Sequence, residues 1–295
     1  MVLNKGIIYK IIDNKIDKIE LMYLNEQELN TLYHALNLNY SLKELELSSS
    51  QLEDITLLCK SLKNNYCLEL LNLYNNKIKD ITPLKFLKNN SCLKYLNLDY
   101  NQIEDISSLK FLSNSCLKKL YLQSNQIKNI SSLKFLENIS YLEELKLSGN
   151  KIKNITPLKF LSNSYLKKIY LTDNQIVDIT PLKFLSNSCL QELWISYNKI
   201  KDLTPLKYLS NSCLNTLDLS GNQIEDISSL KFLSNSCLYT LGLSYNHRIE
   251  DITPLTFLSN SSLKELYLSN NQLNNQDKQK IIELTKLKQI KLYYI

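Results

Sequence analysis

The chain has 295 residues, 44% of them hydrophobic and 22% charged, and a formal net charge of +6, which suits one large domain or two ordinary ones. It contains only four glycines and two histidines, and no glycine-rich phosphate loop or metal-binding HExxH or CxxC pattern. These absences exclude nucleotide-dependent catalysis and argue against histidine-based catalysis, so we expect no enzymatic activity, cofactor or metal.

The N-terminal segment has its own pattern. Residues 6–24 predict two strands joined by a turn at 13–15, and residues 25–39 predict an amphipathic helix. We interpret 1–41 as an N-terminal cap, because the ends of a repeat array must cover its core. The first residues lack a secretory signal, and the sequence has no apolar run long enough to span a membrane. These features predict a cytoplasmic protein without membrane attachment.

A period of 24 or 25 residues begins near residue 42 and continues to residue 271. One asparagine marks each copy, and Ser50 occupies its position in the earliest copy. The marker positions are Asn76, Asn101, Asn125, Asn150, Asn174, Asn198, Asn222, Asn246 and Asn271. The unbroken period leaves no place for a domain boundary, so residues 1–295 are predicted to form one domain.

Each copy predicts one strand and one short helix. In LxxLxLxxN apolar and polar residues alternate, which is typical of a strand with one buried face. In IxDI[ST][PS]LKFL, Thr or Ser suits a helix N-cap, Pro suits the first helical position, and the upstream Asp suits the positive helix end. Connections this short predict parallel strands stacked in a coil. Residues 272–295 predict a helix and a last strand, which form a C-terminal cap.

The pattern resembles the leucine-rich repeat family over residues 42–295, and the NxIxDITPLxxL stretch is most similar to the short repeats of internalins and phosphatase-regulating repeat proteins. The resemblance implies an α/β solenoid, or horseshoe, with a concave parallel β-sheet and short convex helices. It also implies that the asparagines form a ladder between repeats and that the phenylalanines form an aromatic spine. Buried turns need paired N–H and C=O groups, and a ring can fill space between layers, which agrees with both roles.

Two further columns recur. Six cysteines (67, 92, 116, 189, 213, 237) precede the first strand leucine, and we interpret them as reduced residues at the rim of the core. Seven lysines (85, 110, 134, 159, 183, 207, 231) fall on the helix side. A solvated convex face is the preferred interpretation of the lysines, and contact with a nucleic-acid backbone is the alternative.

The outward strand positions do not repeat, so they can carry function. The residue between the two strand leucines changes from copy to copy, from Glu46 to a final Lys291, and includes the only tryptophan, Trp194. Exposed Trp and Tyr residues are frequent binding hot spots, although they also form cross-strand ladders. The predicted partner-binding residues are Tyr121, Lys146, Lys168, Tyr170, Glu192, Trp194, Tyr197, Asp218, Tyr245 and Tyr267.

The sequence predicts a non-enzymatic scaffold that binds a protein partner on the concave face. The alternatives are a host-interaction or substrate-recruiting effector, and a nucleic-acid-binding protein that uses the lysine column. We expect a monomer with a protein partner and no small-molecule substrate or membrane.

Overall fold

The computed structural model describes residues 3–210, 212–234, 237–260 and 262–294. The side chains of 257–260, and with them the predicted spine residue Phe257, lie outside the described part. The chain forms two compact units, Met1–Asn150 and Lys151–Ile295. Each unit is an open parallel sheet in which strands follow chain order and alternate with short helices. The predicted fold class, a leucine-rich-repeat solenoid, is confirmed.

In the first unit, three α-helices and six strands precede residue 150. The α-helices are α1 (Lys5–Ile12), α2 (Glu26–Asn37) and α3 (Thr56–Ser61). The strands are β1 (Lys18–Met22), β2 (Glu44–Ser48), β3 (Leu70–Asn72), β4 (Tyr95–Asn97), β5 (Lys119–Tyr121) and β6 (Glu144–Lys146). The 3₁₀ helices are Thr82–Leu87, Ser107–Leu112 and Ser131–Asn138.

In the second unit, six strands alternate with 3₁₀ helices until a final α-helix. The strands are β7 (Lys168–Tyr170), β8 (Glu192–Trp194), β9 (Thr216–Asp218), β10 (Thr240–Gly242), β11 (Glu265–Tyr267) and β12 (Lys291–Tyr293). The 3₁₀ helices are Thr156–Leu161, Thr180–Leu185, Thr204–Leu209, Ser228–Leu233 and Thr253–Asn260. The C-terminal helix is α4 (Asn275–Lys288). This matches the helix and last strand predicted for 272–295.

The start of the N-terminal segment differs from the prediction. The first of the two strands predicted within residues 6–24 is the helix α1, and only the second is a strand, β1. The Asn4 side chain accepts a hydrogen bond from the Ile7 N–H at 3.0 Å and caps the helix. The isoleucines of α1 suggested a strand, but tertiary packing decides: Ile11 is fully buried, and its carbonyl accepts from the Asn39 side chain at 2.7 Å.

The core lies between the strands and the short helices. The central residue of each three-residue strand from β3 to β11 is a leucine or isoleucine with 0% exposure. Neighbouring strands pair so that these residues stand in register, as Leu193 does with Leu217. Burial of one such side chain stabilises the fold by roughly 1.5–3 kcal/mol. The repeat therefore builds its core one layer at a time.

The asparagine ladder is present as predicted. Asn125, for example, donates through Nδ2 to the carbonyl of Leu98 in the preceding repeat at 2.9 Å and to that of Leu122 in its own repeat at 3.2 Å. Its Oδ1 accepts from the Ile103 N–H at 2.9 Å. All these groups are buried, so the amide satisfies polar backbone that water cannot reach.

The short helices differ from the prediction in type and in capping. Except for α3, the repeat helices are 3₁₀ helices with i to i+3 bonds, as in Leu84 N–H to Ile81 O at 3.0 Å. A six-residue 3₁₀ helix is roughly 12 Å long, which is longer than an α-helix of six residues. The 3₁₀ form therefore lets six residues cover more of the distance across the repeat. The predicted Thr or Ser is not the N-cap: in the first of these 3₁₀ helices the N-cap residue is Ile81, which makes no side-chain capping hydrogen bond. Asp80 Oδ1, one residue earlier, instead accepts from the Thr82 N–H at 2.8 Å.

The phenylalanines are less buried than the predicted spine requires. Phe135 is buried, whereas Phe86, Phe111, Phe160, Phe184 and Phe232 are half-buried. The leucines on either side, such as Leu84 and Leu87 around Phe86, fill the core instead. Six of the seven column lysines hold Nζ 5.1–5.7 Å from the ring of the following residue. The aromatic column therefore forms a surface layer of cation–π pairs.

The six column cysteines are exposed free thiols, so they lie outside the core, and Cys59 alone of the seven is buried. None of the helices that the structure describes has the length and apolar character needed to cross a membrane.

Candidate functional site

The side chains predicted to bind a partner lie on the open face, which we define as the side of each sheet that faces away from the core. On each three-residue strand the central residue is buried, and the first and third residues point to the open face. In β8 these outward residues are Glu192 and Trp194, on either side of the buried Leu193. Because only the buried position must be apolar, outward positions are free to vary.

A four-residue cluster fixes the tryptophan on the open face of the second unit. Trp194 stacks on Tyr170 of the neighbouring strand, with ring centroids 6.2 Å apart and planes inclined by 11°. The Glu192 carboxylate accepts from Trp194 Nε1 at 3.1 Å and from the Tyr170 hydroxyl at 3.2 Å. It also pairs with Lys168 Nζ at 2.6 Å. The cluster therefore holds the Trp194 side chain in one orientation.

These contacts set the ionisation state of Glu192. Partial burial acts to raise the pKa of its carboxyl group, but hydrogen bonds from Lys168 and Trp194 and the charge of Lys168 outweigh it, so the pKa is lowered. Glu192 is therefore a carboxylate at neutral pH and a stable acceptor for the indole N–H.

A groove of about 470 Å³ adjoins Trp194 on the open face of the second unit. We call it the β8–β11 groove. It is lined by four aromatic residues, two carboxylates, four hydroxyl residues and one glycine. These are Trp194, Tyr197, Thr216, Asp218, Ser220, Thr240, Gly242, Ser244, Tyr245, Glu265 and Tyr267. Its volume lies within the range of ligand-binding clefts.

The floor of the groove depends on Gly242. A Cβ atom at this position would lie 2.2 Å from Asp218 Oδ1 and 2.9 Å from Ser220 Oγ. Any larger residue would push the Asp218 carboxylate away, so the glycine leaves room for that carboxylate. Asp218 Oδ1 also accepts from the Ser220 N–H at 3.0 Å, which fixes its orientation.

Two tyrosines form the rim of the groove. Tyr197 and Tyr245 precede ladder asparagines, and their ring centroids are 6.4 Å apart. Both have left-handed backbone, with φ of 51° and 58°. The same position holds glycine in two other repeats, Gly149 and Gly221, each with φ of 64°. A left-handed backbone costs a non-glycine residue about 1–2 kcal/mol, and Tyr100, Asp173 and Asn270 adopt it at the same position in other repeats.

At the far end of the groove Tyr267 stacks on Tyr293 of β12. The ring centroids are 4.2 Å apart and the planes are nearly parallel. Burial, with a hydrogen bond that the Tyr267 hydroxyl donates to Tyr293 and the charge of Glu265, raises the pKa of Tyr267, so its phenol is neutral. The groove thus has one ordered aromatic pair at each end.

The first unit has a separate set of open-face residues. Lys146 Nζ lies 4.0 Å from the centroid of the Tyr121 ring, and Tyr121 meets Tyr95 edge to face at 5.0 Å. Asp99 is buried nearby and accepts from the Gln123 N–H at 2.6 Å. Burial raises the pKa of Asp99 to about 6, although the Gln123 hydrogen bond and the charge of Lys146 act to lower it.

The predicted binding residues divide into three groups. Five of them line the β8–β11 groove: Trp194, Tyr197, Asp218, Tyr245 and Tyr267. Lys168, Tyr170 and Glu192 form the cluster that holds Trp194. Tyr121 and Lys146 contact each other in the first unit.

One position in the predicted column was wrong. The residue opposite Tyr267 is Tyr293, and Lys291 lies opposite Glu265. The last copy lacks the usual spacing because α4 replaces its short helix, so counting from the sequence placed the wrong residue in the column.

The predicted binding residues did not include the groove residues Thr216, Thr240, Gly242 and Glu265, and sequence reasoning missed Ser220 and Ser244 altogether. Both follow the last leucine of the strand pattern, as do Thr172 and Ser196, whose hydroxyls lie 3.0 Å apart. A small hydroxyl residue recurring in this position was the signal that could have identified them. Within the described residues, no group of three or more His, Cys, Asp or Glu side chains could hold a metal ion.

Comparison with known proteins identifies the family. A model described as "Leucine rich repeat" matches residues 115–176, 140–200, 164–224 and 236–294, which together include more than half of the chain. A model for two leucine-rich repeats matches 68–111, 93–134 and 212–257. A search of curated proteins found no match.

Several solved structures are similar. An internalin of Listeria monocytogenes is 30% identical, with a TM-score of 0.66, and the match covers 98% of this chain and 84% of the internalin. Internalin C2 of the same bacterium is 32% identical, with a TM-score of 0.56 and coverage of 71% and 83%. A leucine-rich repeat protein of Leptospira interrogans, 21% identical with a TM-score of 0.60 and coverage of 98% and 86%, shares the fold. The chain therefore belongs to the leucine-rich repeat family and is similar to the internalins.

Proposed function

We propose that the protein is a non-enzymatic scaffold that binds a protein partner through the open face of its second unit. Leucine-rich repeat proteins of the internalin type are generally protein-interaction scaffolds and are typically non-enzymatic. The partner-binding role of particular residues in this chain is the further step of the proposal.

The observation that carries the proposal is the β8–β11 groove with its ordered aromatic walls. Trp194 is held by Glu192 and Tyr170, so little side-chain freedom is lost when a partner binds. Tyr197 and Tyr245 keep left-handed backbone at the rim. Trp and Tyr provide most of the binding energy at many protein interfaces, and here they surround a concave surface.

The test is affinity capture from extracts of the native cells, followed by mass spectrometry, with wild-type protein and Trp194→Ala as baits. We expect the partner to be lost with Trp194→Ala. The fold should persist, because the buried residue of β8 is Leu193 and not Trp194. Tyr165→Ala, which removes an exposed ring on the loop before β7, serves as the matched control. Equal capture by wild type and Trp194→Ala would contradict the proposal.

A second variant separates binding from folding. Tyr197→Gly removes a rim aromatic and at the same time relieves a left-handed backbone, so it should not destabilise the fold through its backbone. Asp173→Gly makes the same backbone change in the equivalent position of another repeat, where φ is 55°. We expect weaker capture with Tyr197→Gly and normal capture with Asp173→Gly.

A further inference from the structure

We propose that the β8–β11 groove takes a lysine or arginine side chain presented by a basic segment of the protein partner. This rests on the proposed function and adds the chemistry of the ligand. The inference comes from the charge of the groove, the position of its carboxylates and its aromatic walls.

The groove is acidic and contains no cation of its own. Of the described residues that line it, Asp218 and Glu265 are carboxylates, and none is a lysine, arginine or histidine. Asp218 accepts from the Ser220 N–H at 3.0 Å, and Glu265 accepts from the Thr240 hydroxyl at 3.2 Å. Among the described residues neither carboxylate forms an ion pair.

Other carboxylates on the open face are paired with lysine. Glu192 pairs with Lys168 at 2.6 Å, and Glu46 pairs with Lys18 at 3.0 Å. Asp218 and Glu265, among the described residues, therefore lack the close lysine ion pair that Glu192 and Glu46 have. A cation from a partner would complete the pattern, because opposite charges across an interface guide and strengthen association.

One cation outside the groove, Lys291, interacts with the charge of Glu265 but forms no ion pair with it among the described residues. Lys291 lies opposite Glu265 on β12, but its Nζ sits over the Tyr293 ring at 4.6 Å from the centroid. A hydrogen bond with Tyr293 is the main cause that raises the pKa of Lys291, and the negative charge of Glu265 also acts to raise it, so Lys291 remains a cation beside that ring. It is not one of the residues that line the groove.

The aromatic walls of the groove also favour a cationic side chain, in addition to the carboxylates. Trp194, Tyr197, Tyr245 and Tyr267 present aromatic rings, which attract ammonium and guanidinium groups through cation–π contact. The apolar stem of a lysine or arginine can pack on the same rings while the charged end reaches a carboxylate. Gly242 keeps the Asp218 carboxylate accessible by leaving the adjacent space open.

The experiment uses the full chain and short synthetic peptides. A glycine peptide with one central arginine or lysine is titrated into the protein, and the fluorescence of Trp194, the only tryptophan of the chain, is recorded. The same peptide with a central norleucine keeps the stem and removes the charge. We expect a saturable change with the basic peptides and none with norleucine.

Matched variants locate the site. Asp218→Asn and Glu265→Gln each remove one negative charge from the groove and should weaken binding about tenfold. Glu250→Gln makes the same change in charge at an exposed position outside the groove and should alter affinity by less than about twofold. Absence of a saturable response in wild type, equal binding of the norleucine peptide, or equal loss with Glu250→Gln would overturn the inference.

The two proposals can fail separately. If Trp194→Ala abolishes partner capture but no basic peptide binds the wild-type protein, the ligand chemistry is wrong and the proposed function stands. If basic peptides bind while Trp194→Ala captures the partner normally, the groove takes cations and the proposed function is wrong.

Discussion

Gly221 lies directly against the ring of Tyr197, and a Cβ atom at residue 221 would come within 2.6 Å of Tyr197 Cδ1. Both residues occupy the left-handed position before a ladder asparagine, in adjacent repeats. The glycine therefore does two things: it adopts φ of 64° without strain, and it leaves space for the rim tyrosine.

Gly221→Ala should lower the free energy of unfolding by about 1–2 kcal/mol and also displace the Tyr197 ring. Gly149→Ala is the matched control, because φ is also 64° there but the nearest atom, Ser124 Oγ, is 3.0 Å away. We expect both variants to lose stability in chemical denaturation, and only Gly221→Ala to change the fluorescence response to a basic peptide. In the double variant Tyr197→Gly with Gly221→Ala, the steric part of the loss should disappear.

The environment of Trp194 should depend on pH through Glu192. The folded protein lowers the pKa of this carboxyl group, so the carboxylate stabilises the fold above the ordinary glutamate range, and that stabilisation is lost as pH falls through the lowered value. We expect the emission of the single tryptophan to stay constant down to the ordinary range and to change only below it. Glu192→Gln should abolish this step, and a step at higher pH would contradict the assignment.

The stability that Asp99 contributes should depend on pH in the opposite direction to that of Glu192. Burial raises its pKa to about 6 in the folded protein, above the ordinary value, so the folded state binds more protons than the unfolded state between these two values. Stability conferred by the neutral form is therefore lost as pH rises through this window. Asp99→Asn should raise the free energy of unfolding at neutral pH by up to about 3 kcal/mol. Urea denaturation at pH 4.5 and pH 7.5 measures it.

The Asp99→Asn substitution separates the effect of the charge from the effect of the hydrogen bond. An asparagine can still accept from the Gln123 N–H, so the substitution removes the charge and keeps the contact. If Asp99→Asn destabilises the protein equally at both pH values, the carboxylate is a structural acceptor and not a buried charge.

The features that could be predicted from the sequence are those that every repeat must contain in order to fold. Strand leucines such as Leu193 and ladder residues such as Asn125 recur because every repeat presents the same buried environment, and their roles are confirmed. Features set outside the repeat were harder to predict. The helix α1 depends on the Asn4 cap and on burial of Ile11. Neither feature can be predicted from an isoleucine-rich sequence alone.

In the candidate site, too, the features set by the repeat could be predicted and the others could not. Outward positions such as Trp194 and Asp218 could be found because strand alternation fixes which side they face. Their contacts could not be predicted, because the hydrogen bond from Trp194 to Glu192 depends on side-chain conformations. Trp194 does form a cross-strand stack with Tyr170, and its role in binding stays a prediction.

The asparagine ladder should be the most sensitive polar feature. Asn125→Ala would leave the Ile103 N–H and the carbonyls of Leu98 and Leu122 without this partner in a buried turn. We expect a loss of about 2–4 kcal/mol in the free energy of unfolding. Asn129→Ala is the control, because Asn129 accepts from the Ser131 N–H at an exposed helix end, where the expected loss is about 0.5–1 kcal/mol. Equal losses would refute the buried role of the ladder.

The lysine column gives the last prediction, which separates protein binding from nucleic-acid binding. Lys183, Lys207 and Lys231 each hold Nζ within 5.7 Å of the adjacent aromatic ring on the helix side of the second unit. If these lysines followed a phosphate backbone, the logarithm of DNA affinity would fall with the logarithm of salt concentration by about 0.9 for each phosphate neutralised. We expect no such slope for duplex DNA in fluorescence anisotropy titrations from 50 to 200 mM salt.

The triple substitution of these lysines by glutamine sharpens the test. It should leave partner capture and basic-peptide binding unchanged, because the lysines follow the helices and not the strands that form the groove. It should lower stability only slightly, since an exposed cation–π pair contributes about 0.5–1 kcal/mol. A steep salt slope in wild type that falls by about 2.7 in the triple variant would instead assign the helix side to nucleic acid, because three phosphate contacts would have been removed.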